Sequence, residues 1–591
     1  MSKKVIQFMD TSFRDGLQSV FGGRVFTDDF MPAVKASVDA GITNMEVGGG
    51  ARFQSLFFYC GESAFDMMDR LRAEAGPNVA LQTLTRGINV VALNQSPRDI
   101  IDLHAKLFKK HGITTIRNFD ALNDVRNLEY SGERIAHHGL NHQVAVTMMA
   151  QPPGCFGAHT PEFYMDRLKQ ILDAGIPFHS ICFKDASGTS SPRKVYKTLK
   201  AARKIVPDDT ILWFHTHDTA GLGISQNMAA IEGGATGIDL AKSPVSGGTC
   251  QPNILSMMHA MKGTGYTLDL DYEKIITASD TFEKAMKEYF FPPEAKMVSP
   301  KVILSPMPGG ALTANTMMMR DTGTLHLYPD VIKEMSEAVA RGGFGTSVTP
   351  VSQFYFQQAY LNVTQGKWKK INPGYGNMVL GYFGRTPVPA DPEIVKIASE
   401  QLGKPVFTED PLDILEPGIP KATKILEENN LPVNDENIFI IASCEQRGLN
   451  YLLGKAVINV RKITDEPQVN RKTAAKKTAS PAAAPPIGPR NYTITVNNRP
   501  YNVFVSEAGG IQAAAAVPAA EKMEVEAPTP GNIVKILVDV GSTVTVDQPL
   551  VVMEAMKMES EVKSPCAGKV MAVHIAPGDT VQTSDPLFTI G

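Results

Sequence analysis

His215-Thr216-His217 stands in a run that reads as a β-strand. Side chains two apart on a strand point to one side, so the two imidazoles form a pair suited to a divalent metal. Two other strand ends carry ionisable groups. Residues 10–19 (DTSFRDGLQS) bring Asp10, Arg14, Asp15 and Gln18 to the end of the first strand, and residues 184–188 (KDASG) bring Lys184 and Asp185 to the end of the sixth. Each alone reads equally well as an internal Arg–Asp pair or a helix N-cap; together, at three strand ends, they make a candidate site. A second chemical feature is Lys557 in residues 553–558 (MEAMKM), midway in a gapless internal repeat. Pro528, Gly531, Ile533, Val544 and Leu550 recur 37 positions later as Pro565, Gly568, Val570, Val581 and Leu587. Two copies of a short β-rich unit predict two interlocked half-sheets related by a pseudo-twofold axis. The segment between them turns back as a hairpin and presents Lys557 at its tip.

The elements that must hold these residues follow from periodicity and length. A chain of 591 residues is too long for one hydrophobic core. Residues 7–13, 44–47, 79–86, 114–120, 143–149, 180–185, 211–218 and 237–240 read as strands. Amphipathic stretches such as 28–40, 97–111, 161–174 and 191–205 alternate with them. That pattern predicts an α/β fold, a parallel (β/α)8 TIM-type barrel over 1–300 with chemistry at the C-terminal ends of its strands. An open doubly wound sheet is the alternative, weakened because no Gly-x-Gly-x-x-Gly follows the first strand. From about residue 250 the pattern turns mainly helical, with candidates at 255–262, 272–289, 328–340, 351–363, 392–401 and 420–428, and 301–465 is expected to be a helical extension. Residues 466–522 are Ala/Pro-rich, too poor in large apolar side chains to offset their ordering entropy, and read as a flexible linker with a β-like island at 492–505. A tether of about 50 residues gives an r.m.s. reach on the order of 40 Å. Residues 523–591 form the small all-β unit.

Composition excludes some functions. The net charge of −3 offers no electrostatic argument for nucleic acid or an anionic membrane. Six cysteines without a Cys-x-x-Cys pair imply no disulfide framework. No run of 18 apolar residues and no signal-like N-terminus appears, so the expected location is cytoplasmic.

The segment 523–591 resembles a biotinyl carrier domain, through its Ala-Met-Lys-Met core set in the repeat. The resemblance implies a flattened β-barrel with biotin joined covalently to Lys557 by a biotin protein ligase. Residues 5–460 resemble the carboxyltransferase domain shared by pyruvate carboxylases, oxaloacetate decarboxylase α subunits and the transcarboxylase pyruvate subunit. The motifs that carry this are 10–18 (DTSFRDGLQ), 86–89 (RGIN), 118–123 (NFDALN), 184–188 (KDASG), 215–218 (HTHD) and 307–313 (MPGGALT). By that resemblance Asp15, His215, His217 and Lys184, the last as a carbamate, would bind Zn²⁺, Mn²⁺ or Co²⁺. Arg14, Gln18 and Arg86 would hold pyruvate, and Thr313 would pass a proton between the methyl carbon of pyruvate and biotin. The plainer readings are an Arg14–Asp15 ion pair, a surface charge for Arg86 and a helix N-cap for Thr313.

The implied reaction moves a carboxyl group between carboxybiotin and pyruvate or oxaloacetate. The chain departs from the family pattern at two positions. Leu93 stands where a tyrosine is usual, and residues 48–52 (GGGAR) replace Trp-Gly-Gly-Ala-Thr, which raises the expectation that Arg52 meets a second carboxylate, as in 2-oxoglutarate. No ATP-using domain is present in 591 residues. The first reading is therefore the biotin-bearing carboxyltransferase subunit of a two-subunit pyruvate carboxylase, working with a separate biotin carboxylase. The rival is an oxaloacetate decarboxylase α subunit of a sodium-pumping complex, peripheral to the membrane. A carrier on a dead barrel is a third reading, disfavoured by the intact set of Asp15, Lys184, His215 and His217. The family tends to form dimers or higher oligomers.

Overall fold

The computed structural model describes residues 3–153, 156–463, 490–496, 499–505, 523–555, 558–582 and 584–591, with backbone alone for 490–505, 555, 558 and 559. Lys557 and the linker stretches 464–489 and 506–522 lie outside the described residues.

Eight strands close into a parallel barrel in chain order: Gln7–Asp10, Asn44–Glu46, Ala80–Thr85, Thr115–Phe119, Asn141–Thr147, Ser180–Asp185, Ile211–Thr216 and Gly237–Leu240. The first pairs with the last through Gln7 and Gly237, which closes the ring and excludes the open sheet. The strands match the predicted ones closely, the first ending three residues early, at Asp10. The sixth is buried along its whole length, as expected where helices cover the outside and side chains fill the inside. The helices face the strands with apolar stripes. Arg98–Lys110 buries Ile100, Leu103, His104, Leu107 and Phe108, spaced three and four apart along one face, and leaves Lys109 and Lys110 at its C-terminal end. Thr160 and Ser191 cap their helices by accepting from the N–H of Phe163 and Lys194, and a proline follows each cap.

The six helices predicted beyond residue 250 are present, and two further ones matter for the site. Gly309–Asp321 opens on two glycines, whose low helix propensity hides it from a sequence reading. Its first residue has to be small: a Cβ on Gly309 would stand 1.6 Å from the carbonyl oxygen of Thr249. Asp435–Leu452 is broken by Glu445, whose φ of 46° and ψ of −132° interrupt the helix. Gly448 then packs so closely on the helix segment before the break that a Cβ would lie 2.7 Å from the Ile440 carbonyl oxygen.

The β-like island is an antiparallel hairpin, Arg490–Val496 against Arg499–Val505. The C-terminal unit has two four-stranded sheets, and both copies of the repeat contribute strands to each. Gly531–Ile536 and Gly568–Val573 occupy equivalent places, as do Thr543–Val544 and Thr580–Val581. Val544, Val581, Leu550 and Leu587 meet in its core. Gly541 and Gly578 share a φ of 95°, a turn conformation that disfavours any side chain at both sites. Pro549–Ala555 pairs with Met558–Lys563, Ala555 opposite Met558, so the strands flanking Lys557 form the two arms of the expected hairpin.

Candidate functional site

The first strand ends at Asp10, and a five-residue π-turn, Ser12–Gly16, then carries Arg14 and Asp15 over the barrel mouth. Lys184 and His215 are neighbours in register on adjacent strands, and His217 lies two residues beyond His215. Their side chains converge. The ligand atoms of Asp15, His215 and His217 all lie within 4.8 Å of one another, and all three residues are buried. Lys184 Nζ is 2.8 Å from His215 Nε2, so it joins the same cluster.

Each imidazole is held by its other nitrogen. His215 Nδ1 is 2.6 Å from Asp239 Oδ2, and His217 Nδ1 is 2.6 Å from the Thr249 carbonyl oxygen. An Nδ1–H donated to each of these acceptors leaves both Nε2 lone pairs facing Asp15 and Lys184. This arrangement fixes tautomer and ring orientation for metal ligation. Asp239 is held in turn by both guanidinium nitrogens of Arg117 and by the Trp213 indole N–H. Gln251 Nε2 donates to Asp15 Oδ2 at 2.8 Å.

The electrostatics suit a cation. Burial would raise the Asp15 carboxyl, but Arg14, His217 and Lys184 outweigh it and hold Asp15 well below the usual carboxylate range. Burial, with Lys184, keeps His215 neutral. Burial also lowers Lys184 to about 8, despite Asp15, with Arg117 and Arg14 adding to the effect. A lysine with a substantial neutral fraction can add CO₂ and lose a proton to become an anionic oxygen donor. Two imidazoles, a carboxylate and a carbamate would suit Zn²⁺, Mn²⁺ or Co²⁺, and the set does not choose among them.

Asp239→Asn is expected to weaken metal retention by about 10- to 100-fold, because it removes the acceptor that orients His215. It also leaves Arg117 short of its counter-charge, at a cost of roughly 3–5 kcal/mol. Metal competition with a chelator and thermal unfolding of the same variant measure the two effects; unchanged metal retention would contradict the orienting role.

Beside the cluster is a small cavity lined by Arg14, Gln18, Arg86, Lys184, His217 and Gly310, among others. The three predicted substrate-binding residues thus line one cavity. Their states differ. Arg14 is paired with Glu46 Oε1 at 2.6 Å and with Asp15 at 3.3 Å, so the internal ion pair is real. Gln18 Oε1 is buried without a hydrogen-bond partner. Arg86 is only 3% exposed, which excludes the surface-charge reading. It donates to the carbonyls of Val91 and Ala92 at 2.7 and 2.9 Å and has no acidic partner among the described residues. Burial, with Arg14 nearby, lowers it to about 9. The loop that clasps it is strained at Val90, a β-branched residue with φ of 51° and ψ of −108°. Asn118 steadies the same loop by accepting from the Gly87 N–H at 3.0 Å.

Thr313 is not among the residues that line this cavity. It lies near the start of Gly309–Asp321, and its hydroxyl donates to the Ser19 carbonyl at 2.5 Å. Gly310 and Ala311 of the same helix do reach the cavity. Arg52 corrects an expectation. It is fully buried, donates to the carbonyls of Gly23 and Val25, and lies over the Phe30 ring at 5.6 Å. It ties a helix to a loop and does not line the cavity. Leu93 also stays out of the cavity and lines a separate notch with Arg447 and Glu554. The residues that sequence reading missed are Glu46, Asp239, Gln251 and the Thr249 carbonyl.

Comparison with known proteins adds three family matches: "Conserved carboxylase domain" over residues 302–504, "Biotin-requiring enzyme" over 523–590 and "HMGL-like" over 126–282. A pyruvate carboxylase subunit of Methanocaldococcus jannaschii is 31% identical over 94% of this chain and 94% of its own length. The 2-oxoglutarate carboxylase large subunit of Hydrogenobacter thermophilus is 27% identical, covering 95% of this chain and 91% of its own. Among solved structures, the carboxyl transferase domain of Rhizobium etli pyruvate carboxylase with pyruvate and biocytin superposes with a TM-score of 0.70 at 26% identity, over 76% of this chain and 77% of that one.

Proposed function

The chain belongs to the biotin-dependent carboxyltransferases of the pyruvate carboxylase type, and from that premise we propose that it moves a carboxyl group between biotin on Lys557 and pyruvate, forming or consuming oxaloacetate. The observation that carries the substrate class is Arg86: a buried guanidinium with no acidic partner among the described residues, open to a cavity beside a metal-binding cluster. A buried charge of this kind needs a counter-anion, and a planar fork suits a carboxylate.

In this reading residues 1–300 are the barrel, 301–465 its helical extension, 466–522 the linker and 523–591 the carrier. Arg86 binds the carboxylate of the 2-oxo acid. Gln18 orients the keto group through its amide, and Glu46 holds Arg14 over the same cavity so that positive charge faces the enolate oxygen that forms. Asp15, His215, His217 and the Lys184 carbamate would hold the metal, which supplies further positive charge there when bound. Biotin, when attached at Lys557, supplies the nitrogen that gives up or accepts the carboxyl group. Thr313 Oγ1, a donor to Ser19 here, turns toward the cavity and passes a proton between the pyruvate methyl carbon and biotin. Of the departures that raised 2-oxoglutarate, Arg52 lends it no support, because it does not line the cavity.

A separate ATP-dependent biotin carboxylase charges the carrier, and a biotin protein ligase installs the biotin. ATP- and bicarbonate-dependent oxaloacetate formation is therefore expected only when such a carboxylase is added to the purified chain. Sodium-dependent decarboxylation with membrane subunits, and no ATP-driven activity with any carboxylase, would overturn the assignment in favour of the sodium-pump reading. Among the described residues no helix is long and apolar enough to cross a membrane.

A further inference from the structure

Glu554 stands three residues before Lys557 in the sequence, at most about 10 Å of extended chain away. It is only 6% exposed, and it belongs to the carrier strand Pro549–Ala555. Its polar partners come from the barrel and its helical extension. Arg447 forms an ion pair with its Oε2, and the Tyr59 hydroxyl lies 3.2 Å from its Oε1. Burial and Glu554 itself raise the Tyr59 phenol to about 12, so Tyr59 remains a donor.

Both partners are built into place. Tyr59 lies in the π-turn Leu56–Cys60 that follows the second barrel strand and a short helix, with the Arg24 guanidinium 4.1 Å over its ring. Arg447 follows the break at Glu445 and donates to the Phe58 carbonyl at 3.3 Å. The kinked helix and the π-turn thus present two donors side by side. The notch that receives Glu554 is lined by Ala92, Leu93 and Asn94, in the same loop whose carbonyls clasp Arg86. The contact therefore shares a loop with the cavity that Arg86 lines, through Ala92. Among the described residues two other polar contacts join the units, Gln365 to the Pro528 carbonyl and Lys535 to Gln446, and they are neutral or long, at 2.6 and 3.4 Å.

We propose that Arg447 and Tyr59 are the recognition point for the carrier on its own barrel, and that Glu554 is the acidic key that seats the Lys557 hairpin beside the loop that clasps Arg86. The inference rests on the reading of Lys557 as the biotin-bearing residue. A buried, hydrogen-bonded charge pair of this kind sets how long two surfaces stay together, and removing one member leaves the other charge without its partner. Arg447 is the better position to change, because it lies outside the carrier that the ligase must recognise.

The test compares the full-length chain with Arg447→Glu and Arg447→Gln, each checked for complete biotinylation by intact mass. Exchange of labelled pyruvate into oxaloacetate reports transfer through the tethered biotin. Oxaloacetate decarboxylation with added free biotin reports the barrel site without docking. Small-angle scattering reports whether the carrier is seated, whatever the substrate. Exchange is expected to fall about tenfold or more in both variants, with free-biotin decarboxylation within about twofold of the unaltered chain and a larger radius of gyration. Tyr59→Phe should lower exchange by a few-fold, roughly the effect of losing one hydrogen bond. Unchanged exchange and scattering in Arg447→Glu, or equal loss of both activities, would overturn the proposal. If the unaltered chain shows no exchange with pyruvate, the functional reading fails, and the scattering comparison still decides the docking contact.

Discussion

Replacing Lys557 with arginine is expected to abolish avidin binding and reduce pyruvate–oxaloacetate exchange to background, with the barrel, its metal and its stability unchanged. The substitution keeps the charge and most of the side-chain length. It removes the one property that matters for attachment, a single nucleophilic amine. Arginine's delocalised guanidinium stays protonated and is not acylated. The strands that precede and follow Lys557 in the sequence, Pro549–Ala555 and Met558–Lys563, pair with each other, and core residues such as Val551 and Val562 are untouched by the change. Free biotin should therefore still support decarboxylation in the variant. Avidin binding that persists in Lys557→Arg would place the biotin on another lysine.

Lys184→Ala is expected to empty the metal site, lowering metal content on the order of a hundredfold at equal free metal, and to abolish both exchange and free-biotin decarboxylation. The loss of a ligand should exceed the 10- to 100-fold typical of residues one layer out. The geometry supports a large effect: Lys184 Nζ is 2.8 Å from His215 Nε2, inside the ligand cluster. Burial lowers this lysine to about 8, which raises its neutral, carbamate-forming fraction near neutral pH. Bicarbonate should thus restore metal to depleted wild-type protein and have no such effect on Lys184→Ala. Biotinylation should remain complete, because the carrier has its own hydrophobic core. Full metal occupancy in the variant by elemental analysis would contradict the carbamate assignment.

The two variants divide the protein by function. One removes the arm and spares the cavity; the other removes the cavity's chemistry and spares the arm. Thr313 stands between these cases. Its hydroxyl bonds to the Ser19 carbonyl, which also accepts from Thr249, so its proposed proton transfer needs a change of partner that the metal ligands do not.

Why some of this was legible in the sequence is a matter of periodicity. His215 and His217 are two apart at a strand end, and Lys184 lies near the end of the adjacent strand, so period two alone brings them to one face. The repeat in the carrier was readable because it has no gaps, and its equivalent strands fall in opposite sheets. The supporting residues were harder to see. Asp239 and Glu46 are single acids inside short strands, and burial marks each as needing a partner. Their partners, Arg117 and Arg14, come from distant parts of the chain and leave no local pattern. Thr249 acts through a backbone carbonyl, which no residue type reveals. Gln251 is a neutral side chain in an irregular segment. Arg52 misled because a cation in place of the family's threonine reads as an addition to the pocket, whereas its carbonyl partners belong to a loop brought in by folding. The Arg447–Glu554 pair joins residues 107 positions apart across two folding units, beyond the reach of any local signal.

The central claim is that one chain holds both ends of the transfer: a biotin arm and a cavity that takes pyruvate. It is tested most directly by isotope exchange with the purified, biotinylated, metal-loaded chain and no partner. Labelled pyruvate is mixed with unlabelled oxaloacetate, without ATP, and the label in oxaloacetate is followed with and without avidin. Rapid transfer of label that avidin stops is the expected result. No label in oxaloacetate, or transfer that proceeds equally in the presence of avidin, would contradict it.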